Sequence, residues 1–218
     1  MKNLNYQYWE KILVKELYQL WENSKKFLPC HGPEHHLRVW LKARPFGQKK
    51  GVDLEILLAG CLFHDVAAFN PRAPAGHDVV SAKIAEKVLK KVNFPSKKIP
   101  QVLQAISSHR TNYQGFMSLE AKIIKSFDKL EAFGPIGVYR VITPLSIRRY
   151  SIEEIINWIF FDQRLKNKWE AIAFPELKKK YIADYNYSIN FFKDLAKKLS
   201  MSKFKKSIIS ETKMYYKK

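Results

Sequence analysis

Two histidines and two aspartates stand where they could supply the ligands of one divalent cation. His35 lies in an early segment, His64 and Asp65 follow the apolar run 56–63, and Asp128 lies far along the chain. This nitrogen and oxygen set suits Mn²⁺, Mg²⁺, Fe²⁺ or Co²⁺ better than a thiolate-bound structural zinc. A cation held in this way lowers the pKa of bound water and makes hydroxide available near neutral pH.

Helical spacing separates the neighbouring histidines. His31 and His35 are four residues apart and become neighbours if Pro33 opens the helix early enough. His36 points about 100° away from His35, so we expect only one of these two to be a ligand. His36 is interpreted as a structural residue or one that supports a ligand.

The adjacent pair His64-Asp65 is placed differently. A helix interior would direct these two side chains apart, whereas at a helix end both can turn toward one ion. An ion that also binds Asp128 on a distant helix would hold three helices together and would add to stability.

Three segments in this order resemble the HD superfamily of metal-dependent phosphohydrolases. They are His-x-x-Arg-Val at 35–39, the His-Asp doublet at 64–65 after its apolar run, and Asp-Lys-Leu-Glu-Ala-Phe-Gly at 128–134. The last is similar to the Asp-Lys-Leu-Asp-Ala-x-Gly segment of a bacterial branch of predicted HD-domain hydrolases. That branch often carries His-Asp where this chain has His31-Gly32, and it has Asp where this chain has Glu131.

The resemblance covers roughly residues 25–200 and implies an all-α fold, a single helical bundle with the metal site between helices. It implies a metal-dependent phosphohydrolase acting on a nucleotide or another small phosphorylated metabolite. Among these substrates, the resemblance favours nucleoside triphosphates. The implied metal ligands are His35, His64, Asp65 and Asp128.

Further candidates lie around this set. His77 and His109 would complete a second metal site, act in substrate binding or proton transfer, or be surface histidines. Lys129 contacts phosphate or pairs with Asp128 or Glu131. The catalytic candidates are Asp65, His77, His109 and Lys129, and the substrate-binding candidates are His31, Arg110, Lys129 and Arg140.

Three other functions stay open. A binuclear iron oxygenase of the same superfamily would use His77 and His109. A non-catalytic HD domain would bind nucleotide or nucleic acid, although no nucleic-acid motif is visible. A catalytic Cys30–His31 pair is a further interpretation, but adjacency in sequence does not supply nucleophile and base geometry.

Hydrophobic periodicity predicts helices joined by breaks. We expect helices at 4–27, from Pro33 to a break at 44–47, and at 53–65, 77–92, 97–109, 118–133, 151–162, 164–172 and 176–199. Residues 66–76 are expected to be irregular and to shape a substrate mouth, and the break at 134–137 leads into a short segment with Arg140. The predicted division is an N-terminal helix at 1–24, the hydrolase domain at 25–200 and a basic tail at 201–218.

Composition limits the class of protein. The 218 residues are 46% hydrophobic and 14% aromatic, which excludes global disorder. The formal charge of +19 favours anionic partners or reflects a lysine-rich surface. Two cysteines, no apolar run of roughly 18–20 residues and no secretory signal predict a cytoplasmic protein without a transmembrane segment.

Overall fold

The computed structural model describes residues 5–24, 28–70, 76–160 and 163–199. Within these ranges the chain forms α-helices and three short 3-10 turns and no β-strand, so the predicted all-α fold is confirmed. None of the described helices is long and apolar enough to cross a membrane. The helices are α1 (Asn5–Glu22), α2 (Pro33–Lys50), α3 (Leu54–Phe63), α4 (His77–Lys91), α5 (Ile99–Ser107), α6 (Leu119–Leu130), α7 (Gly134–Ile147), α8 (Ile152–Phe160), α9 (Arg164–Glu170) and α10 (Pro175–Lys198).

Helix α3 is the centre of the bundle. Every one of its residues is buried, and a helix that is apolar all round must be enclosed by other helices. Its start agrees with the sequence, because the Asp53 carboxylate accepts hydrogen bonds from the backbone N–H groups of Glu55 and Ile56. Helices α1, α2, α5 and α6 all pack against α3, which therefore delivers its C-terminal end, His64-Asp65, into the interior.

Helix α1 belongs to the same core. Its inward positions Trp9, Leu13 and Leu17 are buried at the spacing expected from the sequence. The Trp40 indole N–H donates to the Glu10 carboxylate, which ties α1 to α2. The division of the chain into an N-terminal helix and a hydrolase domain stays a prediction.

The predicted break at 44–47 is wrong, because α2 continues through Pro45 to Lys50. A proline inside a helix loses one backbone hydrogen bond. Here Trp40 and Ala43 before the proline and Gly47 after it are all buried. Gly47 packs so closely on Leu57 that a Cβ at position 47 would lie 2.4 Å from Leu57 Cδ2. Packing of α2 against α3 thus outweighs the helix-breaking tendency of the 44–47 segment.

The expected short segment around Arg140 is in fact the 14-residue helix α7. Gly134, the first residue of α7, adopts a positive φ of 73°. Pro135 follows it in the first turn, where the backbone N–H that a proline lacks would have no partner within the helix. Only glycine fits at position 137 of α7, because a Cβ there would lie 2.2 Å from the backbone carbonyl carbon of Ala132. The glycine and proline residues at 134–137 begin a helix rather than interrupt one.

The segment after the doublet is only partly irregular. Residues Val66–Phe69 form a 3-10 turn, contrary to the expectation for 66–76. The rest of the expected mouth, 71–75, and the basic tail at 201–218 lie outside the described residues.

Replacing Gly137 with alanine should destabilise the fold. The new methyl group would meet backbone that cannot rotate away, so we expect a loss of about 1–3 kcal/mol despite the higher helix propensity of alanine. Urea unfolding followed by circular dichroism measures this change. Ile136→Ala, at a 45% exposed position one residue earlier, is the matched control. Equal stability of the two variants would contradict the close packing.

Candidate metal centre

Four buried side chains from three helical regions converge at the end of α3. His35 comes from α2, His64 and Asp65 follow α3, and Asp128 comes from α6; their donor atoms all lie within 4.8 Å of one another. His35 Nε2 is 3.2 Å from His64 Nε2, and Asp128 Oδ1 is 3.6 Å from each of these nitrogens. The structure therefore brings together all four residues that the sequence analysis named as metal ligands.

The histidine tautomers show that this donor set fits a cation. His64 Nδ1 is 2.9 Å from the carbonyl oxygen of Cys61, and His109 Nδ1 is 2.6 Å from that of Ile106. A carbonyl oxygen only accepts, so each Nδ1 carries a proton and donates it. Each Nε2 is then the ring atom that faces a carboxylate, and it could bind a cation placed between the two.

A second donor group shares Asp65 with the first. His77 Nε2, from the first residue of α4, is 3.3 Å from Asp65 Oδ1, and His109 Nε2, just beyond α5, is 3.2 Å from the same oxygen. Asp65 Oδ2 faces the first group and lies 3.9 Å from His64 Nε2. The two oxygens of one carboxylate thus face two histidine groups, which is the arrangement of a bridging ligand.

Both aspartates are ionised despite their burial. Burial raises the pKa of Asp65, but hydrogen bonding with His109 and His77 outweighs it, so the pKa lies well below its usual value. Burial also raises the pKa of Asp128, and the Lys129 ammonium and His64 outweigh that effect. Two negative charges are therefore available to a cation.

Two predicted phosphate-binding cations border this centre. Lys129 Nζ is 2.5 Å from Asp128 Oδ2. Arg140 donates from Nε to the carbonyl oxygen of Cys30, and its Nη2 lies 3.0 Å from His35 Nε2 and 4.0 Å from Asp128 Oδ1. Arg140 is thus held by the backbone and directed at the ligands.

The other predicted site residues lie at varying distances. His31 lines the centre, with Nε2 3.9 Å from Asp65 Oδ2. The side chain of Arg110 is 42% exposed and lies 3.8 Å from Asp78, so the structure does not bring it into either donor group. His36 is buried but joins neither group; its ring packs 4.9 Å from that of His64.

The structure does not support Cys30 as a nucleophile. Its Sγ lies 3.2 Å from His31 Nδ1, so the two side chains do meet. Burial, however, raises the pKa of the Cys30 thiol to about 11. An activated cysteine shows the opposite shift.

Glu131 supports the ligand His35. Its buried carboxylate accepts from Arg38 Nε at 2.7 Å and from Lys42 Nζ at 2.5 Å, and Oε2 lies 3.8 Å from His35 Nδ1. A carboxylate on the far side of a ligating imidazole orients the ring and raises its basicity. Arg38 is therefore an ion-pair partner, and the longer glutamate side chain keeps its carboxylate near the ligand.

Sequence reasoning missed two lysines that are at least partly buried, one on α6 and one on α9, which packs against α6. Lys125 lies one turn before Lys129 on α6 and is buried, and Lys168 of α9 is half-buried. The spacing of Lys125 and Lys129 was visible in the sequence, whereas nothing in the sequence places α9 beside α6.

Comparisons with known proteins find a family match over part of the chain. Residues 33–132 match the family model described as HD domain, so the expected resemblance is confirmed. No curated protein matches the chain.

Solved structures share the fold at low identity. A protein from Lactobacillus plantarum is 17% identical with a TM-score of 0.72, covering 92% of this chain and 100% of its own. Bacillus subtilis YpgQ in complex with ADP is 16% identical with a TM-score of 0.68, covering 91% and 97%. A predicted HD superfamily hydrolase from an uncultured Thermotogales bacterium is 21% identical with a TM-score of 0.56, covering 86% and 91%.

Glu131→Gln should weaken metal binding while leaving the fold intact. The amide keeps the shape of the side chain but removes the charge that faces His35, and losses of this kind typically cost about 10–100-fold in metal affinity. Titration of Mn²⁺ into the metal-free protein measures the change. Lys42→Ala removes a partner of Glu131 but keeps its charge, so its affinity should stay close to wild type. Equal affinities in wild type and Glu131→Gln would contradict the supporting role.

Metal analysis tests whether both donor groups bind ions. We expect the manganese-loaded protein to approach two ions per chain, because both groups contain a histidine pair and share Asp65. His109→Ala should reduce the content to about one ion, since the second group then keeps only His77 and Asp65. His36→Gln alters a buried histidine outside both groups and should leave the content unchanged. One ion in wild type, retained in His109→Ala, would show a mononuclear site.

Proposed function

We propose that this chain, whose residues 33–132 are an HD domain, is a metal-dependent hydrolase of phosphoric esters or anhydrides. The observation that carries this proposal is the buried Asp65, whose two oxygens face two histidine groups beside Lys129 and Arg140. A metal centre bordered by fixed cations suits a reaction that develops negative charge on phosphate oxygens.

The donor set favours a hard or borderline divalent cation. His35, His64, Asp65 and Asp128 would hold one ion, and His77 and His109 would hold a second with Asp65 between them. We propose Mn²⁺, Mg²⁺, Co²⁺ or Fe²⁺, since imidazole and carboxylate ligands without thiolates suit these ions. Such an ion, when bound, supplies Lewis acidity and lowers the pKa of water.

The side chains of the chain itself bind the phosphate and handle the proton. Arg140 Nη2 offers N–H groups to a phosphate oxygen, while its Nε is held by the Cys30 carbonyl. Lys129 adds a compact positive charge next to Asp128. If only the first donor group holds an ion, His77 is free of metal and can take a proton from water near Asp65 and pass it to solvent, because its side chain is 34% exposed.

A nucleotide is the proposed substrate class. Bacillus subtilis YpgQ, which shares the fold, is known in complex with ADP. The formal charge of +19 would also attract an anionic substrate by long-range steering.

The second donor group also suits the binuclear iron alternative. Oxygen consumption by the iron-loaded protein, without phosphate release from any nucleotide, would identify an oxygenase. A non-catalytic nucleotide-binding domain would bind nucleotide and release no phosphate with any of the four metals. Binding of nucleic acid would fall steeply with salt concentration.

Asp65→Ala should abolish hydrolysis and keep most of the helical fold. The substitution removes the carboxylate shared by both donor groups, so we expect a loss of at least about 100-fold in kcat. Release of phosphate and pyrophosphate from a panel of nucleotides with Mn²⁺ provides the measurement. Asp194→Ala, on the exposed surface of α10, is the matched control. Retention of a tenth of wild-type activity in Asp65→Ala would rule out the proposed role.

A further inference from the structure

Each histidine of the second donor group is followed by a charged residue, and the two charges are opposite. His77-Asp78 begins α4, and His109-Arg110 follows the end of α5. The two helices pack against each other and are joined by residues 92–98, so the start of α4 and the end of α5 lie at the same end of a helical hairpin. The two histidine rings meet there, with centres 5.7 Å apart.

The charges that follow the histidines meet as well. Arg110 Nη1 lies 3.8 Å from Asp78 Oδ1, so an ion pair joins the first turn of α4 to the residues after α5. In the part of the chain that the structure describes, no other cation forms an ion pair with Asp78. The pair therefore spans the same gap between the two helices as the histidines do.

Asp78 depends on this partner because it is buried. It is 4% exposed, and its Oδ1 has no hydrogen-bond partner among the described residues. An ion pair between two exposed side chains contributes little to stability. Here only the Arg110 side chain is exposed, to 42%, and removing it would leave a buried carboxylate without a compensating charge. We expect the first turn of α4 to shift when Arg110 is lost, because Asp78 would then move toward water.

His77 depends on that first turn more than His109 does. The His109 ring is oriented by the carbonyl oxygen of Ile106, 2.6 Å from its Nδ1. No described residue forms a hydrogen bond with Nδ1 of His77, and the N-cap residue of α4, Gly76, has no side chain to hold the helix start. The position of the His77 ring thus follows the placement of the first residues of α4.

We propose that Asp78 and Arg110 are positioning residues, which hold the two histidines of the second donor group at the separation that one ion requires. This inference rests on the proposed function and specifies how the second donor group would keep its ion. The sequence made Arg110 a candidate for phosphate binding. The structure assigns it instead to Asp78, through which it acts on His77.

Manganese binding tests the pair one ion at a time. The full, metal-free chain is titrated with Mn²⁺, and the ion that His109→Ala retains defines the first site. Wild type should bind two ions. Asp78→Asn keeps the shape of the side chain without its charge, and Arg110→Gln removes the cation. Each should weaken the second ion about 10–100-fold, the usual effect of losing a group that orients a metal ligand, and change the first ion much less.

The opposite charges of the pair separate positioning from a simple field effect. Through the field alone, Asp78→Asn would weaken the binding of a nearby cation, whereas Arg110→Gln would strengthen it. Positioning predicts that both variants weaken the second ion. The double variant should then lose no more affinity than the weaker-binding single variant, because the two residues act as a unit.

Matched variants complete the design. Arg110→Lys keeps the charge and should retain most of the affinity, because Asp78 Oδ1 accepts no hydrogen bond that only a guanidinium could donate. Glu86→Gln removes a carboxylate of α4 that pairs with Lys90 on the exposed surface, and it should leave both ions unaffected. Arg110→Gln alters an exposed side chain and carries the test if Asp78→Asn lowers Tm.

The outcomes distinguish this inference from the proposed function. Tighter binding of the second ion in Arg110→Gln, or equal weakening of both ions, overturns the positioning role. A single ion in wild type overturns it even if that protein hydrolyses nucleotides. Two ions retained in Arg110→Gln with a raised KM for nucleotide would assign Arg110 to the substrate instead. A wild type that binds two ions, loses the second in both variants and releases no phosphate from any nucleotide supports the positioning pair and refutes the hydrolase.

Discussion

The convergence of histidine nitrogens and ionised carboxylates in a buried space is the constraint on which the rest of the structure depends. The Nε2 atoms of His64 and His109 face Asp65, and backbone carbonyls hold both rings in that orientation. Such a cluster is unfavourable without positive charge, because burial removes the water that would otherwise solvate it. A cation bound there would therefore be coupled to the packing of the bundle and would add to stability.

The bundle meets this constraint with one central helix and several surrounding ones. Helix α3 is enclosed on all sides, so the doublet at its end has little freedom to move. The outer helices each bring one or two polar groups to that end: His35 from α2, His77 from α4, and Asp128 with Lys129 from α6. Residues far apart in sequence meet because the apolar faces of their helices must pack on α3.

Sequence periodicity predicted the helices well, since apolar spacing and the Asp53 cap are local signals. It failed at Pro45 and at 134–137, where packing on a distant helix outweighs the preference of the segment itself. The ligands were visible because polar residues interrupted apolar helices in a recognised order. The partial burial of Lys168 was not, because it depends on α9 lying against α6, which no local pattern reveals. Glu131 looked like a departure from the family segment, yet its carboxylate stays within reach of His35 Nδ1.

The net charge of +19 says less about specificity than the few cations at the centre. Exposed charges act through a Debye length of about 8 Å at physiological salt, so most surface lysines can only steer an anion toward the protein. At the centre, Lys129 and Arg140 lie beside Asp128, whereas Glu131 is paired with Arg38 and Lys42. A divalent cation bound among the donor groups would add positive charge in a region of low dielectric, where an anion is bound more strongly than at the surface. Attraction of phosphate to the centre would thus depend on the metal rather than on the net charge of the surface.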